Sequence, residues 1–359
     1  MNKGYYERYM QRCFQLAQLG AGNVAPNPMV GAILVYNDQI IGEGYHQKYG
    51  APHAEVHCIN DALRNHADKI PAATLYVSLE PCAHYGKTPP CADLIISHKI
   101  PKVVIGCRDS FEQVDGRGIA KLEAAGVSVE VGILEQEAVS LNKAFFTFHR
   151  YKRPYVILKW AQTADGYIAS ATDQRLYISN DYTNRLVHRW RSETAAIMIG
   201  ANTAIKDDPL LDNRNWFGPP PGKIVFDPNL KVSAQLRLFN ISDVVVVLNT
   251  VKDAVAKNII YLKIDPKNMI GDALRQLFSL NIQSIFVEGG QKLLQLFIDS
   301  GLWDETRIIT HNQLYTGHGL AAPRLQDASL LSRTNLLTDE VRYFKNTNHQ
   351  FLYAAIGLL

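Results

Sequence analysis

Three side chains in the first hundred residues could together hold a zinc ion. His53 stands two residues before Glu55, and Cys82 and Cys91 lie further along the chain. Two thiolates and one imidazole supply three zinc ligands, and an open fourth position for water is typical of a catalytic zinc. Zinc lowers the pKa of its bound water towards about 7, and Glu55 could carry the proton to a departing amine. The pattern predicts hydrolytic removal of an amino group.

The spacing of the two cysteines departs from the signature usual in nucleobase deaminases. That signature is His-x-Glu followed by Pro-Cys-x-x-Cys, whereas eight residues separate Cys82 from Cys91. A structural zinc site is the competing interpretation, although it gives no reason for a carboxylate beside a ligand. The other cysteines, Cys13, Cys58 and Cys107, lie in apolar helical or strand patterns and are expected in the core.

Strands alternate with helices along the chain, as is typical of α/β domains. In the first half, hydrophobic periodicity predicts strands over 30–36, 39–44, 74–79, 102–107 and 127–131, and helices around 10–17 and over 53–63, 91–98 and 119–125. In the second half it predicts strands over 155–160, 196–200, 244–248 and 284–288, and helices over 182–192 and 291–298. His53 and Cys91 would then open helices, and Cys82 would follow a strand.

Length and charge indicate a two-domain globular protein. The 359 residues suit two domains, and the basic stretch 149–154, which ends in a proline, predicts a boundary between residues 1–148 and 153–359. A net charge of +3 gives no general case for a nucleic-acid partner. A homo-oligomer is compatible with the sequence.

Hydropathy and cysteine usage predict the compartment. No run of 18 apolar residues occurs, so no membrane partner is expected. The first residues lack a signal-peptide core, and five cysteines make no obvious disulfide framework. We therefore expect a cytoplasmic protein with reduced thiols.

The second half is less telling on its residues alone. Glu288, Gly289 and Gly290 end a predicted strand just before a helix, where glycines would let backbone amides approach a phosphate. A helix-start turn with no ligand explains the same residues equally well. No Gly-x-Gly-x-x-Gly follows a strand, so a Rossmann dinucleotide site is not supported. The residues alone predict an α/β domain that could bind an anion.

The stretch around the two cysteines resembles a known family signature. Residues 81–91 read Pro-Cys-Ala-His-Tyr-Gly-Lys-Thr-Pro-Pro-Cys, which closely resembles the signature of the bifunctional riboflavin-biosynthesis deaminase/reductase family. Residues 27–31 and 44–46 resemble that family too. The resemblance implies a cytidine-deaminase-like α/β/α fold for the N-terminal domain. Its substrate would be a diaminopyrimidinone that carries a ribosylamino 5-phosphate.

The same resemblance implies roles for individual residues of the first half. It makes His53, Cys82 and Cys91 the zinc ligands and Glu55 the proton shuttle. It also implies that the following residues contact the substrate: Asn27, His46, His84 and Lys87. A phosphorylated substrate gives an independent reason for a cationic lysine beside the metal loop.

The resemblance continues through the second half and so covers nearly the whole chain. Residues 159–166, 200–210 and 288–290 are similar to the family's reductase segments. A dihydrofolate-reductase-like α/β domain that uses NADPH is therefore implied. The implied cofactor contacts are Ala161, Tyr177, Thr203, Asp207 and Gly290. The implied substrate contacts are Arg175, Arg191, Leu211, Arg214 and Glu288, with Lys159 polarising the sugar oxygen.

One segment departs from the family pattern. Members usually read Ser-x-Trp-Ile-Ser/Thr where this chain has Arg175-Leu176-Tyr177-Ile178-Ser179. A tyrosine can replace tryptophan as an aromatic wall, whereas arginine for serine changes a substrate or cofactor contact.

The resemblance implies two reactions in sequence. Hydrolytic deamination of the 2-amino group comes first, and NADPH then reduces the ribosyl side chain to the ribityl chain. Two other hypotheses remain open on the sequence. One is a tRNA base deaminase with an appended domain, which would use the same zinc chemistry. The other is a non-catalytic, zinc-stabilised binding module.

Overall fold

The computed structural model describes residues 3–85, 89–111, 114–172, 176–240 and 243–348. Their contacts divide the chain into two compact units, and the boundary along the chain falls between Tyr151 and Lys152. Within the described residues, none of the helices has the length and apolar character that crossing a membrane requires.

The first unit contains six helices and five strands among its described residues. The helices are α1 (Lys3–Gln18), α2 (Ala54–Asn65), α3 (Cys91–Ser97), α4 (Arg117–Ala124), α5 (Glu135–Leu141) and α6 (Lys143–Tyr151). The strands are β1 (Gly31–Tyr36), β2 (Gln39–Tyr45), β3 (Thr74–Leu79), β4 (Lys102–Cys107) and β5 (Ser128–Val131). A short 3₁₀ segment spans Ala67–Ala72.

The five strands form one mixed sheet in the order β2-β1-β3-β4-β5. The β1–β2 hairpin turns at Asn37 and Asp38, both with positive φ, as a two-residue turn of the right twist requires. The pairs β3–β4 and β4–β5 are parallel, so their carboxyl ends lie at one edge of the sheet. Cys82 follows β3 at that edge.

Helices cover both faces of this sheet. Because side chains alternate along a strand, Leu34 packs with α2, α3 and α4 in one apolar cluster, whereas Ile33 faces the other way. Helices α1 and α5 contact the sheet as well. The cysteines expected in the core, Cys13, Cys58 and Cys107, are buried and form no disulfide, as predicted.

A glycine brings α2 close to the sheet. A Cβ at Gly44 would lie 2.3 Å from the backbone nitrogen of Cys58. Only glycine therefore allows β2 and α2 to approach at this distance. The close packing fixes the start of α2, where His53 and Glu55 lie.

In its described residues, the second unit contains a ten-stranded sheet and a two-stranded one. Its strands are β6 (Tyr155–Thr163), β7 (Tyr167–Ser170), β8 (Ala196–Gly200), β9 (Gly222–Phe226), β10 (Val245–Asn249), β11 (Ala254–Ala256), β12 (Ile259–Lys263), β13 (Ser284–Glu288), β14 (Glu305–His311), β15 (Gly319–Ala321), β16 (Ala328–Leu336) and β17 (Asp339–Asn346). Its helices are α7 (Asp181–Ser192), α8 (Ala201–Asp207), α9 (Met269–Ser279) and α10 (Gln291–Ser300), with a 3₁₀ turn over Arg237–Phe239.

The large sheet follows the order β11-β12-β10-β9-β8-β13-β6-β14-β17-β16, and β7 pairs with β15. All neighbours from β12 to β14 are parallel, and antiparallel strands lie at both ends. The carboxyl ends of β8, β13 and β6 are therefore adjacent. Ligands of open α/β sheets usually bind at such an edge.

Candidate functional site

The predicted zinc ligands converge at the carboxyl edge of the first sheet. His53 is the residue before α2, Cys82 follows β3, and Cys91 is the first residue of α3. The Nδ1 atom of His53 lies 3.6 Å from Cys82 Sγ and 3.3 Å from Cys91 Sγ. Among the described residues, these three form the group of histidines, cysteines and carboxylates whose ligand atoms all lie within 4.8 Å of one another.

The spacing of these atoms fits a tetrahedral zinc ion. Zn–S bonds of about 2.3 Å and Zn–N bonds of about 2.1 Å place neighbouring ligand atoms about 3.6 Å apart. The backbone amide of Cys91 donates to Cys82 Sγ over 3.3 Å, as it would to a thiolate. With three protein ligands, one position of the tetrahedron is left for water.

The charges around the ligands favour one thiolate at Cys82. Hydrogen bonds from Cys91 and His53 lower the pKa of Cys82 to about 4, against the opposing effect of burial. The hydrogen bond to Cys82 raises the pKa of His53 above its ordinary value. The same partner and burial raise the pKa of Cys91. These opposite shifts favour the thiolate form at Cys82 over the thiolate form at Cys91.

Glu55 is buried beside the three ligands. Glu55 is 3% exposed, and burial raises the pKa of its carboxyl group above the ordinary value. The neighbouring His53 opposes this rise of the Glu55 pKa, and Cys82 adds to it. A carboxyl that is held among ligands and retains protons more readily than usual is suited to proton transfer.

Asn27 and His46 form a pair next to the ligand histidine. Asn27 Nδ2 lies 3.0 Å from His46 Nε2, and His46 Nδ1 lies 3.0 Å from the carbonyl oxygen of Pro52. Because a carbonyl only accepts, Nδ1 carries the proton and Nε2 accepts from Asn27. Burial lowers the pKa of His46, which agrees with the neutral ring. The ring centroids of His46 and His53 are 5.3 Å apart.

His84 lies two residues beyond Cys82, and its Nδ1 atom is buried without a hydrogen-bond partner among the described residues. The ring of Phe111 stands edge-on to it at a centroid distance of 6.2 Å and lies 4.8 Å from the ring of His149. Lys87 falls outside the described residues.

In the second unit, three of the predicted site residues form a buried charge cluster. Arg191 on α7 binds Glu288 at the end of β13 with two N–O distances of 2.6 and 2.9 Å. Lys159 on β6 is aligned with Glu288 in the sheet, and its Nζ lies 3.6 Å from that carboxylate. Arg191 and Lys159 together hold the pKa of Glu288 at about 2, despite burial. Burial lowers the pKa of Lys159.

Arg214 is linked to this cluster through Asp212. The Asp212 carbonyl accepts from Arg191 Nη1 over 2.9 Å, and its carboxylate lies 2.5 Å from Arg214 Nη1. The Arg214 side chain is 61% exposed and so can reach an anion in solution. His188, which the sequence did not single out, lies three residues before Arg191 on α7. It is buried, and its Nδ1 has no partner among the described residues.

The glycine turn after β13 lies against α8. Gly289 and Gly290 both have positive φ, 76° and 78°. A Cβ at Gly290 would lie 3.1 Å from Thr203 Oγ1 and 4.0 Å from the backbone nitrogen of Gly200. The free N–H groups of α10 begin here, and glycine leaves room for a phosphate to approach them. The residues fit the diphosphate of a dinucleotide.

The other predicted residues of the second unit differ in their surroundings. Ala161 is half-buried near the end of β6, and Asp207 is the exposed last residue of α8. Leu211 is buried in the core with Ile199, so a ligand would meet its backbone. Tyr177 is 78% exposed, and Arg175 falls outside the described residues.

Fold and sites together define a class of protein: a zinc-binding deaminase domain followed by a reductase domain. Comparison with known families gives the same division. Residues 4–107 match the family described as the cytidine and deoxycytidylate deaminase zinc-binding region. Residues 154–347 match the RibD C-terminal domain.

Individual relatives match over most of their length. The riboflavin biosynthesis protein RibD of Aquifex aeolicus is 38% identical over 324 residues, which are 88% of this chain and 89% of that protein. RibD of Escherichia coli K12 is 35% identical over 317 residues, 83% of this chain and 85% of its own.

Solved structures of RibD proteins resemble this chain over nearly its whole length. A diaminohydroxyphosphoribosylaminopyrimidine deaminase/5-amino-6-(5-phosphoribosylamino)uracil reductase from Thermotoga maritima superimposes with a TM-score of 0.88 at 34% identity, over 96% of this chain and 99% of that one. RibD of Acinetobacter baumannii does so with a TM-score of 0.87 at 30% identity, over the same shares of the two chains.

The chain belongs to the RibD family of riboflavin biosynthesis, whose members are bifunctional deaminases and reductases. This confirms the expected fold class, the zinc-binding deaminase and the NADPH-dependent reductase.

Proposed function

We propose that the chain carries out both steps on a phosphorylated pyrimidine. Residues 1–148 would hydrolyse the 2-amino group of 2,5-diamino-6-(5-phosphoribosylamino)pyrimidin-4(3H)-one. Residues 153–359 would then reduce the ribosyl side chain to give 5-amino-6-(5-phosphoribitylamino)uracil. The deaminase and reductase activities of the Thermotoga relative, which spans 96% of this chain, support this proposal.

In the deaminase, the chain's own residues would hold the substrate and move the proton. His53, Cys82 and Cys91 would bind zinc, which supplies Lewis-acid activation of water at neutral pH. Glu55 would take the proton of the attacking water and deliver it to the amine, so that the C–N bond breaks, ammonia leaves and a carbonyl forms. The neutral His46 fixes Asn27, and this pair would meet the pyrimidine.

His84 and Lys87 would complete the binding of that substrate. The buried Nδ1 atom of His84 has no hydrogen-bond partner among the described residues, which supports a role for His84 in binding the substrate. Lys87 rests on the family resemblance alone and would meet the phosphate.

In the reductase, the buried charge cluster would hold the sugar. Lys159 would polarise the ribosyl oxygen. The Glu288 carboxylate, 3.6 Å from Lys159 Nζ, would hold the ammonium group of Lys159 in place. Arg214 and the free N–H groups of Arg191 would meet the phosphate, because guanidinium groups bind it with paired hydrogen bonds. Arg175 and the backbone of Leu211 would complete the contacts with the substrate.

The cofactor would lie along the same edge of the sheet. NADPH supplies the hydride that reduces the sugar carbon. Its phosphates would approach the turn at Gly290, and Ala161, Tyr177, Thr203 and Asp207 would line the rest. Free buried cysteines support a reducing, cytoplasmic location, and a homo-oligomer is compatible with this function.

The geometry of the zinc ligands carries the proposal, because three ligand atoms from three separate elements meet at the spacing of a tetrahedral ion. The test is mass spectrometry of products from the diaminopyrimidine, with NADPH withheld or added. Without NADPH we expect the deaminated, ribosyl-bearing product together with ammonia. With NADPH we expect the ribityl product. Loss of the amino group only in the presence of NADPH would contradict the proposal.

A further inference from the structure

Glu80 stands immediately before Pro81 and Cys82, and it is buried at 4% exposure. Its carboxylate accepts hydrogen bonds from four backbone amides. Oε2 accepts from Asp109 over 3.2 Å and from Gly116 over 3.1 Å. Oε1 accepts from Gly118 over 3.0 Å and from Ile119 over 3.2 Å. A carboxylate suits this place because it only accepts, with two oxygens.

Two of these amides belong to the first turn of α4. The N–H groups at the start of a helix have no partner within that helix, and Gly118 and Ile119 are the second and third residues of α4. Glu80 therefore caps α4 from a different part of the chain. The carboxylate thus lies at the positive end of the α4 dipole.

The backbone on either side of this contact is equally close. A Cβ at Gly118 would lie 1.9 Å from the carbonyl oxygen of Pro81, so only glycine fits there. The start of α4 is thus held against the two residues that precede the ligand Cys82. A shift of α4 would be transmitted to the cysteine through Pro81.

On its other side, the Glu80 carboxylate is connected to the segment that supports His84. Glu80 holds the amide of Asp109, whose own carboxylate accepts from the Phe111 amide over 2.8 Å. Phe111 contacts the ring of His84 edge-on. One buried side chain therefore joins the segment that carries a zinc ligand to the segment that supports His84.

We propose that Glu80 is a positioning residue of the deaminase, which holds the Cys82 segment and the Asp109–Phe111 segment in register so that the pyrimidine and the zinc ion are bound together. The proposal rests on the deaminase function proposed above. It assigns to Glu80 an effect on substrate affinity and zinc retention, and not only on stability.

The test is Glu80→Gln in the full-length, zinc-loaded enzyme. Gln keeps the shape, but its NH₂ group would face amides that only donate, so two of the four hydrogen bonds are lost. We expect the KM for the diaminopyrimidine to rise at least about tenfold. We also expect zinc to pass to a chelator at least about tenfold faster. If the Glu80 carboxylate served stability alone, Glu80→Gln would lower the unfolding temperature but leave the KM and the rate of zinc transfer unchanged at 25 °C.

Two controls separate the possible causes. Glu123→Gln changes an exposed carboxylate on α4, the helix that Glu80 caps. This variant should leave the KM and the rate of zinc transfer to the chelator as in wild type. Reduction of already deaminated substrate, measured in the Glu80→Gln protein, reports on the second unit and should be unchanged. A wild-type KM and chelation rate in a folded Glu80→Gln protein would overturn the inference.

Glu80→Asp is the second variant, and it decides the matter if Glu80→Gln does not fold. Aspartate keeps the charge but is one methylene shorter, so Glu80→Asp should raise the KM above that of wild type, and by less than Glu80→Gln does where that variant folds. A wild-type KM in Glu80→Asp, beside an unfolded Glu80→Gln, would show a purely structural residue. If wild-type enzyme itself releases no ammonia from the diaminopyrimidine, the proposed function fails instead.

Discussion

Arg191 and Glu288 form a two-pronged, buried ion pair at the carboxyl edge of the second sheet, with N–O distances of 2.6 and 2.9 Å. Glu288 also lies 3.6 Å from Lys159, and Arg191 reaches the Asp212 carbonyl with a third N–H group. Arg191 can therefore contact a substrate only with the N–H groups that these bonds leave. Its main effect on the site is to keep Glu288 ionised and oriented.

We expect Arg191→Met to destabilise the second unit by about 3–5 kcal/mol at pH 7, because it leaves a buried carboxylate without its closest partner. In the double variant Arg191→Met/Glu288→Gln, the free energy of unfolding should fall by less than the sum of the two single losses, and the difference should be about 1–3 kcal/mol. All four tryptophans of the chain (Trp160, Trp190, Trp216 and Trp303) lie in the second unit, so tryptophan fluorescence in urea measures this unit selectively. Additive losses would indicate that the pair is not coupled.

The same pair predicts a pH dependence of stability. The folded-state pKa of Glu288 is about 2, below its ordinary value near 4.3. A depressed pKa stabilises the fold above the unfolded-state pKa, and this contribution disappears as the pH falls from about 5 towards 2. Without Arg191 the folded-state pKa rises. The difference in stability between wild type and Arg191→Met should therefore shrink as the pH is lowered from 6 to 3, and a constant difference would contradict the assignment.

Glu55→Gln should retain one zinc per chain and lose deamination by at least about 10²-fold, because glutamine cannot carry the proton. The measurement is ammonia release, with metal analysis of the same sample. Cys58→Ala, at a buried cysteine that is not a ligand, is the control for disturbance of α2. Near-normal ammonia release from Glu55→Gln would leave Glu55 a structural role.

Gly290→Ala should raise the KM for NADPH, because the new methyl group would lie 3.1 Å from Thr203 Oγ1 in the turn that is proposed to hold the cofactor phosphates. Its backbone angles, φ 78° and ψ 94°, lie outside the left-handed helical region, so the alanine also adds backbone strain on the order of 1–3 kcal/mol. Gly301→Ala is the control for an alanine at positive φ on the same helix, since Gly301 has a φ of 68° at the other end of α10 and no atom within 4 Å of the added Cβ. Equal KM values in the two variants would place the cofactor elsewhere.

Arg214→Ala should lower kcat/KM of the reductase by about 10- to 100-fold on the phosphorylated substrate, which is the usual effect of losing a charge-assisted contact. The dephosphorylated analogue should be affected much less. Asp212→Asn, which removes the partner of Arg214 but keeps the carbonyl that Arg191 uses, should cause a smaller loss. An equal loss on both substrates would place Arg214 away from the phosphate.

Much of the first unit follows from local sequence patterns. The β1–β2 hairpin is signalled by Asn37-Asp38. The buried strands β1, β3 and β4 are recognisable by short runs of Val, Ile and Leu, and the more exposed β5 by its alternating valines. The zinc ligands and Glu55 stand out because so few residue types can perform that chemistry. The helix after His53 begins one residue later than predicted, since His53 itself is the residue that precedes the first turn.

Contacts between distant segments could not be predicted in the same way. Glu80 reads as an ordinary acidic residue at a strand end, and its four amide partners lie 29 to 39 residues away. His188 reads as one more polar residue of a helix, although it is buried beside Arg191. In the second unit, helices α8 and α9 were not predicted, and neither were the internal strands β9 and β14 or the long strands β16 and β17. Their patterns become distinctive only against the rest of the sheet.

The last prediction is that the two reactions can be separated by a point mutation. Every predicted deaminase residue lies at or before Cys91, and every predicted reductase residue lies at or after Lys159. The contacts described for each set also stay within its own unit: the zinc ligands with Glu55 and His46, and the charge cluster with Asp212. Hydrolysis and hydride transfer share no intermediate that must remain bound.

Glu55→Gln should therefore oxidise NADPH at the wild-type rate when it is supplied with already deaminated substrate. It should oxidise almost none when it is supplied with the diamino compound. Wild-type enzyme should release ammonia at the same rate with and without NADPH. The full-length point mutant is preferable to a truncated chain, because it leaves every contact of the second unit unchanged. If a folded, zinc-loaded Glu55→Gln enzyme fails to reduce the deaminated substrate, the two sites depend on each other and the model of separate sites is wrong.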